Sequence, residues 1–183
     1  MKVSQKHLLK RLLMIFYSGF SLRDEREFFT PYINSSAYCV AGFSYGAIKA
    51  LLHVSHAKTR IDALQLFSPA FFQNKSEKFK RLQMIGYKKD EQSYLKAFVK
   101  NSFSPYSERK TLHVKTTTQE LEELLYFKWS EDILQDIAQK GIEIEVYLGE
   151  KDAVIDVLAA KEFFLPFSTT YYIKNANHFL LEE

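Results

Sequence analysis

Cys39-Val40-Ala41-Gly42-Phe43-Ser44-Tyr45-Gly46-Ala47-Ile48 decides how the chain is read. Apolar residues run into Gly42, Ser44 stands between two glycines, and Ala47-Ile48-Lys49-Ala50-Leu51-Leu52 continues with good helix formers. The stretch predicts a strand, a sharp turn and a helix. In a G-x-S-x-G turn the serine takes a strained backbone conformation that lifts its hydroxyl clear of the sheet, and the glycines let strand and helix pass closely. The N–H of the residue after the serine opens the helix and is free to bind a developing oxyanion, which makes Tyr45 a candidate donor. A bare G-x-S-x-G arises by chance in roughly one chain of this length in twenty. The flanking strand and helix therefore carry the argument.

Working outward, Leu12 to Tyr17 is an apolar run suited to a buried strand, followed by Ser18-Gly19-Phe20-Ser21. Leu22, Arg26, Phe28-Phe29 and Ile33 have the spacing of one amphipathic helix, bent near Pro31. Tyr38 to Phe43, Ile61 to Phe67, Ile142 to Leu148 and Thr169 to Ile173 read as further strands. Ser130-Glu131-Asp132 is an N-cap with an acidic first turn, and Lys140-Gly141 is the matching end of a crossover helix. Strands alternating with helices define an α/β protein with a mainly parallel sheet. Residues 71–128 exceed what a crossover needs and read as a helical insertion over the carboxyl ends of the strands, a lid within a single domain spanning 1–183.

Composition is consistent with that domain: 183 residues, 46% hydrophobic and 15% aromatic, suffice for a substantial core. The single cysteine, Cys39, lies in the apolar run before the turn and reads as a small buried hydrophobe. Lys2, Lys6, Lys10 and Arg11 before Leu12-Leu13-Met14-Ile15-Phe16 imitate a secretory signal, but no small-residue cleavage site follows and the run is too short to span a membrane. The expectation is a cytoplasmic protein, monomeric and without membrane contact.

A serine nucleophile needs a base and an acid that orients the base. On a sheet of this kind they follow in the order Ser, Asp or Glu, His. Gly149-Glu150-Lys151-Asp152 follows the fourth strand and Asn177-His178-Phe179 the fifth, so Ser44, Asp152 and His178 have the required order and strand-end positions. Asp156 is the rival acid. His7, His53, His56 and His113 are worse placed as bases, and the i, i+3 pair His53 and His56 lacks a nearby carboxylate or cysteine to complete a metal site. The second oxyanion donor is expected from the loop after the first strand, with Gly19 permitting close approach and Phe20 N–H donating. No metal or organic cofactor is called for.

With these parts in place the chain resembles the α/β-hydrolase superfamily over nearly its full length, in a reduced form with about five or six strands. More closely it resembles bacterial pimeloyl-[acyl-carrier protein] methyl ester esterases of biotin synthesis. The resemblance rests on Phe16-Tyr17-Ser18-Gly19-Phe20, Gly42 to Ala50, Leu66-Phe67-Ser68-Pro69, Phe79-Lys80-Arg81-Leu82-Gln83, Gln92-Ser93-Tyr94, Gly149-Glu150-Lys151-Asp152 and Asn177-His178. Many relatives have His-Gly where this chain has Ser18-Gly19, and the antiparallel strands that usually precede this point are missing or reduced to residues 1–10. The resemblance implies a serine esterase acting on an acyl group carried by an acyl carrier protein.

Charge points the same way independently. From Gln73 to Lys115 eleven basic residues face four acidic ones, a segment of +7 in a chain of net +3. Such a segment attracts an acidic macromolecule. Lys80, Arg81, Lys88 and Lys89 are the expected contacts for the carrier protein. Nucleic acid would be attracted too, yet no recognition motif accompanies the charge. A general short-chain carboxylesterase, a carrier-protein thioesterase and a non-catalytic carrier-binding module are the alternatives.

Overall fold

A computed structural model describes residues 14–183. Residues 1–10, His7 and the start of the run at Leu12 lie outside the described residues. Five parallel strands form the main sheet: β1 (Ile15–Tyr17), β3 (Cys39–Phe43), β4 (Ala63–Phe67), β6 (Glu143–Gly149) and β7 (Thr169–Ile173), in the spatial order β1-β3-β4-β6-β7. A two-stranded antiparallel ribbon pairs β2 (Leu22–Arg23) with β5 (Leu112–His113). Register is continuous across the sheet, with Val40 opposite Leu64 and Leu64 opposite Ile144. No described helix is long and apolar enough to cross a membrane.

Because side chains alternate across a strand, the sheet has two different cores. Val40, Leu64, Leu66, Ile144, Val146 and Leu148 share one core with the inner faces of α1 (Tyr45–His56), α5 (Glu131–Gln139) and α6 (Val157–Phe164). Ala41, Phe43, Phe67 and Tyr147 belong to the other, which is covered by Phe29, Phe103, Phe179 and Leu180 rather than by a long helix. Gln65 is the polar exception there. Its amide donates to Glu145 and the Tyr32 carbonyl, its oxygen accepts the Asn34 N–H, and the Tyr147 hydroxyl donates to the same Glu145, so nothing polar in this group is left unpaired. Cys39 is buried on the same face, and burial pushes its thiol up to about 12, as expected of an inert apolar packing residue.

The amphipathic helix expected over Leu22 to Ile33 does not form. Leu22–Arg23 pairs as β2, Asp24 turns with φ 64°, and a single 3₁₀ turn covers Glu25–Phe29. A left-handed residue cannot continue a right-handed helix, and Asp tolerates that conformation better than most. The apolar spacing served a different end: Phe29 is fully buried, its ring 4.8 Å from those of both Phe43 and Phe67.

Between β4 and α5 lie α2 (Glu77–Lys89), α3 (Glu91–Phe103) and α4 (Thr118–Tyr126). Each begins on a side-chain cap, from Ser76, Asp90 and Thr117 respectively, the last a reciprocal capping box with Glu120. The two ends of this helical layer are pinned together at its base. Trp129 donates its indole N–H to the Ala70 carbonyl at 2.9 Å and its backbone N–H to Gln73 at 2.8 Å.

Phe29 fastens the short 3₁₀ turn to the sheet, so truncating it opens a cavity that two neighbouring rings cannot fill. Phe29→Ala is expected to lower stability by about 3–5 kcal/mol, read from urea denaturation.

Candidate active site

The turn after β3 is built by close backbone approach. A Cβ on Gly46 would sit 1.9 Å from the Tyr17 carbonyl oxygen, and one on Gly42 would sit 2.1 Å from the Gly46 oxygen. Only glycine fits either position. Ser44 itself has φ 52° and ψ −112°, a strained conformation held by three backbone bonds: its N–H donates to the Phe67 carbonyl, and its carbonyl accepts from Ala47 and Ala70.

His178 is held with similar firmness on the loop after β7. Asn177 donates its side-chain amide to the Phe103 carbonyl at 2.9 Å, while its side-chain oxygen accepts the N–H groups of Phe179 and Leu181. The Phe43 ring packs against the imidazole with centroids 5.0 Å apart. Asp152 comes from the loop after β6. That loop lies so close to the histidine loop that a Cβ on Gly149 would fall 2.3 Å from the Asn177 oxygen.

The three sequence-predicted side chains meet. His178 Nε2 lies 3.0 Å from Ser44 Oγ, and His178 Nδ1 lies 2.5 Å from Asp152 Oδ2. The other Asp152 oxygen accepts the N–H groups of Val154 at 2.7 Å and Ile155 at 3.3 Å, so the carboxylate is fixed from both sides. With the carboxylate accepting at Nδ1, the proton sits there and Nε2 is left to accept from the serine hydroxyl. All three residues are buried. Asp156 is elsewhere: it caps α6 through the Ala159 N–H and accepts from Asn74. His53 is engaged with the Tyr17 hydroxyl at 2.6 Å, and His56 lies 2.8 Å from the carbonyl of Leu52 on its own helix.

The Phe20 and Tyr45 rings are 6.2 Å apart, and both residues line a cavity of about 160 Å³ whose walls also include Lys49, Thr116 and Glu120 but not Ser44 or His178. Neither backbone N–H has an acceptor among the described residues. The Tyr45 hydroxyl donates to Glu123 of α4 at 2.6 Å, and burial together with that carboxylate pushes its ionisation upward. A second cavity, of about 250 Å³, lies between the helical layer and the acid loop. Its walls include Phe72, Phe79, Tyr94, Phe98, Leu124 and Ile155, with Lys75 and Gln83 as polar members.

Of the expected partner contacts, Arg81, Lys88 and Lys89 are exposed on α2. Lys80 is not. It is buried with 4% of its surface accessible, its ammonium lying 5.0 Å over the Tyr126 ring and 3.6 Å from Glu77. No sequence motif marks Glu25, which is buried as well. This carboxyl is buried beneath the loop after β1, accepts the Gly19 N–H at 2.6 Å, and is pushed above its ordinary range by burial.

No protein-family model matches the sequence, and no curated protein matches it significantly. Solved structures do. A hydrolase from Oleispira antarctica is 11% identical with a TM-score of 0.63, covering 98% of this chain and 92% of its own. An esterase from Exiguobacterium antarcticum is 15% identical with a TM-score of 0.57 over 90% of this chain and 84% of its own. BioG from Haemophilus influenzae is 11% identical, again with a TM-score of 0.57, over 92% of this chain and 89% of its own. These likenesses show the architecture: the chain has a reduced α/β-hydrolase fold.

Proposed function

We propose that the chain is a serine carboxylesterase that hydrolyses the methyl ester of a pimeloyl group carried on acyl carrier protein, giving methanol and the free carboxylate. The observation that carries the esterase reading is the unbroken series from Ser44 through His178 to Asp152, at 3.0 and 2.5 Å. As Ser44 Oγ attacks the ester carbonyl, His178 Nε2 takes its proton, and Asp152 stabilises the imidazolium and holds its orientation. The Tyr45 and Phe20 N–H groups receive the oxyanion. Collapse of the tetrahedral intermediate expels methanol, which leaves with the proton from His178. Water then gives a proton to His178 and attacks the acyl-serine, and collapse of the second tetrahedral intermediate releases the acid as His178 returns that proton to Ser44 Oγ. Side chains, backbone N–H groups and water account for every step.

The substrate assignment is supported by the family resemblance in Phe79-Lys80-Arg81-Leu82-Gln83 and by the basic segment around it. Arg81, Lys88 and Lys89 present a cationic face on α2, with Leu82 and Ile85 exposed between them. An acidic carrier protein docks there in this reading, and residues 71–128 act as a lid whose aromatic cavity takes the acyl chain. The buried Ser44 then requires the lid to open before substrate enters. A general short-chain esterase would use the same atoms without the cationic face, and a non-catalytic carrier-binding module would have no use for the aligned serine and histidine.

Methanol release from methyl pimeloyl-carrier protein tests the reading. The native chain is expected to turn over, and Ser44→Ala to lose about 10³-fold or more of kcat. Cleavage of small aryl esters alone would leave a general esterase. Reversing charge at Arg81, Lys88 and Lys89 together is expected to raise KM for the carrier-borne ester about tenfold at low salt, with hydrolysis of a small aryl ester little altered. Equal effects on both substrates would remove α2 as the docking face.

A further inference from the structure

Glu25 has no part in the chemistry above, yet it is 3% exposed and one of its oxygens, Oε2, has no hydrogen-bond partner among the described residues. Burying a carboxyl in this way costs stability. Its other oxygen takes the Gly19 N–H at 2.6 Å. Gly19 is the residue before Phe20, and its carbonyl accepts the Leu22 N–H at 3.2 Å.

Peptide planarity turns these two bonds into an orientation. The Gly19 carbonyl and the Phe20 N–H belong to one trans peptide and point in opposite directions. Tying the carbonyl to Leu22 therefore aims the Phe20 N–H away from the turn, and that N–H has no acceptor among the described residues. Glu25 fixes the peptide on the other side of Gly19. Phe20 is itself locked, its buried ring packed against Tyr45, Tyr87 and Phe98. Glycine at position 19 is flexible by nature, and a Cβ there would lie 2.8 Å from the Phe43 ring, so no side chain of its own stiffens it.

We infer that Glu25 is a positioning residue, which orients the Phe20 N–H toward the oxyanion by holding the N–H of Gly19. The inference rests on the serine esterase reading and deepens it. Its effect falls on the transition state, where the oxyanion forms, rather than on substrate binding.

The test is kcat and KM for p-nitrophenyl butyrate with the native chain, Ser44→Ala and three substitutions of Glu25, each checked for folding by its thermal midpoint. Glu25→Met keeps the length and removes the strong acceptor. It is expected to lose about 10²-fold in kcat with KM within about threefold. Glu25→Gln retains an acceptor for the Gly19 N–H and is expected to recover to within about fivefold of the native kcat. A folded Glu25→Met with kcat within about twofold of native overturns the inference, as does Glu25→Gln falling as low as Glu25→Met. If Glu25→Met fails to fold, Glu25→Asp decides, since its carboxylate is one carbon short of Gly19. A loss of about tenfold or more in its kcat upholds the inference, and a smaller loss overturns it. Native protein no more active than Ser44→Ala removes the esterase reading and this inference with it. Active native protein indifferent to Glu25→Met removes this inference alone.

Discussion

The site depends on one steric constraint, the passage of Gly46 against the carbonyl of Tyr17. With 1.9 Å between that oxygen and where a Cβ would be, the start of α1 and the end of β1 can be neighbours only if position 46 carries no side chain. That contact brings the loop holding Phe20 beside the turn holding Ser44. Gly42 and Gly149 make equivalent approaches, to the Gly46 and Asn177 backbones. Three glycines thus compress four loops into one place, and the strain at Ser44 is sustained by backbone bonds to the neighbouring strand.

Around this point the sheet divides its work between its faces. The aliphatic face packs against α1, α5 and α6 and supplies ordinary core stability. The other face is aromatic and reaches the site directly, since Phe43 touches the His178 ring while Phe103 and Phe179 stack with centroids 4.2 Å apart. The helical layer is tied to the same region through Tyr45 and Glu123, so the residue following the serine contacts the layer that covers it.

Much of this was legible in the sequence because the signals were local. The G-x-S-x-G turn, the short apolar strands, the Ser130 cap and the strand-end places of Ser44, Asp152 and His178 are each read from near neighbours, and the structure places each close to the expected position. What escaped depended on partners distant in sequence. Leu22 to Ile33 had helical spacing, but pairing of Leu22–Arg23 with Leu112–His113 and the left-handed turn at Asp24 prevailed. Lys80 has a side chain that ordinarily stays in water, and the Tyr126 ring that arrives over its ammonium comes from α4, distant in sequence. Glu25 belongs to no motif and to no apolar spacing. Its burial follows from the fold of the loop before it, which no spacing rule reports.

The central claim is that Ser44 is a nucleophile activated by His178. Treating the folded protein with a fluorophosphonate and measuring intact mass, followed by peptide mapping, tests it without assuming any substrate. One adduct on the peptide containing Ser44, lost in His178→Ala, is the predicted result. An unmodified native protein, or an adduct at Ser44 that forms equally fast without the imidazole, would contradict the account.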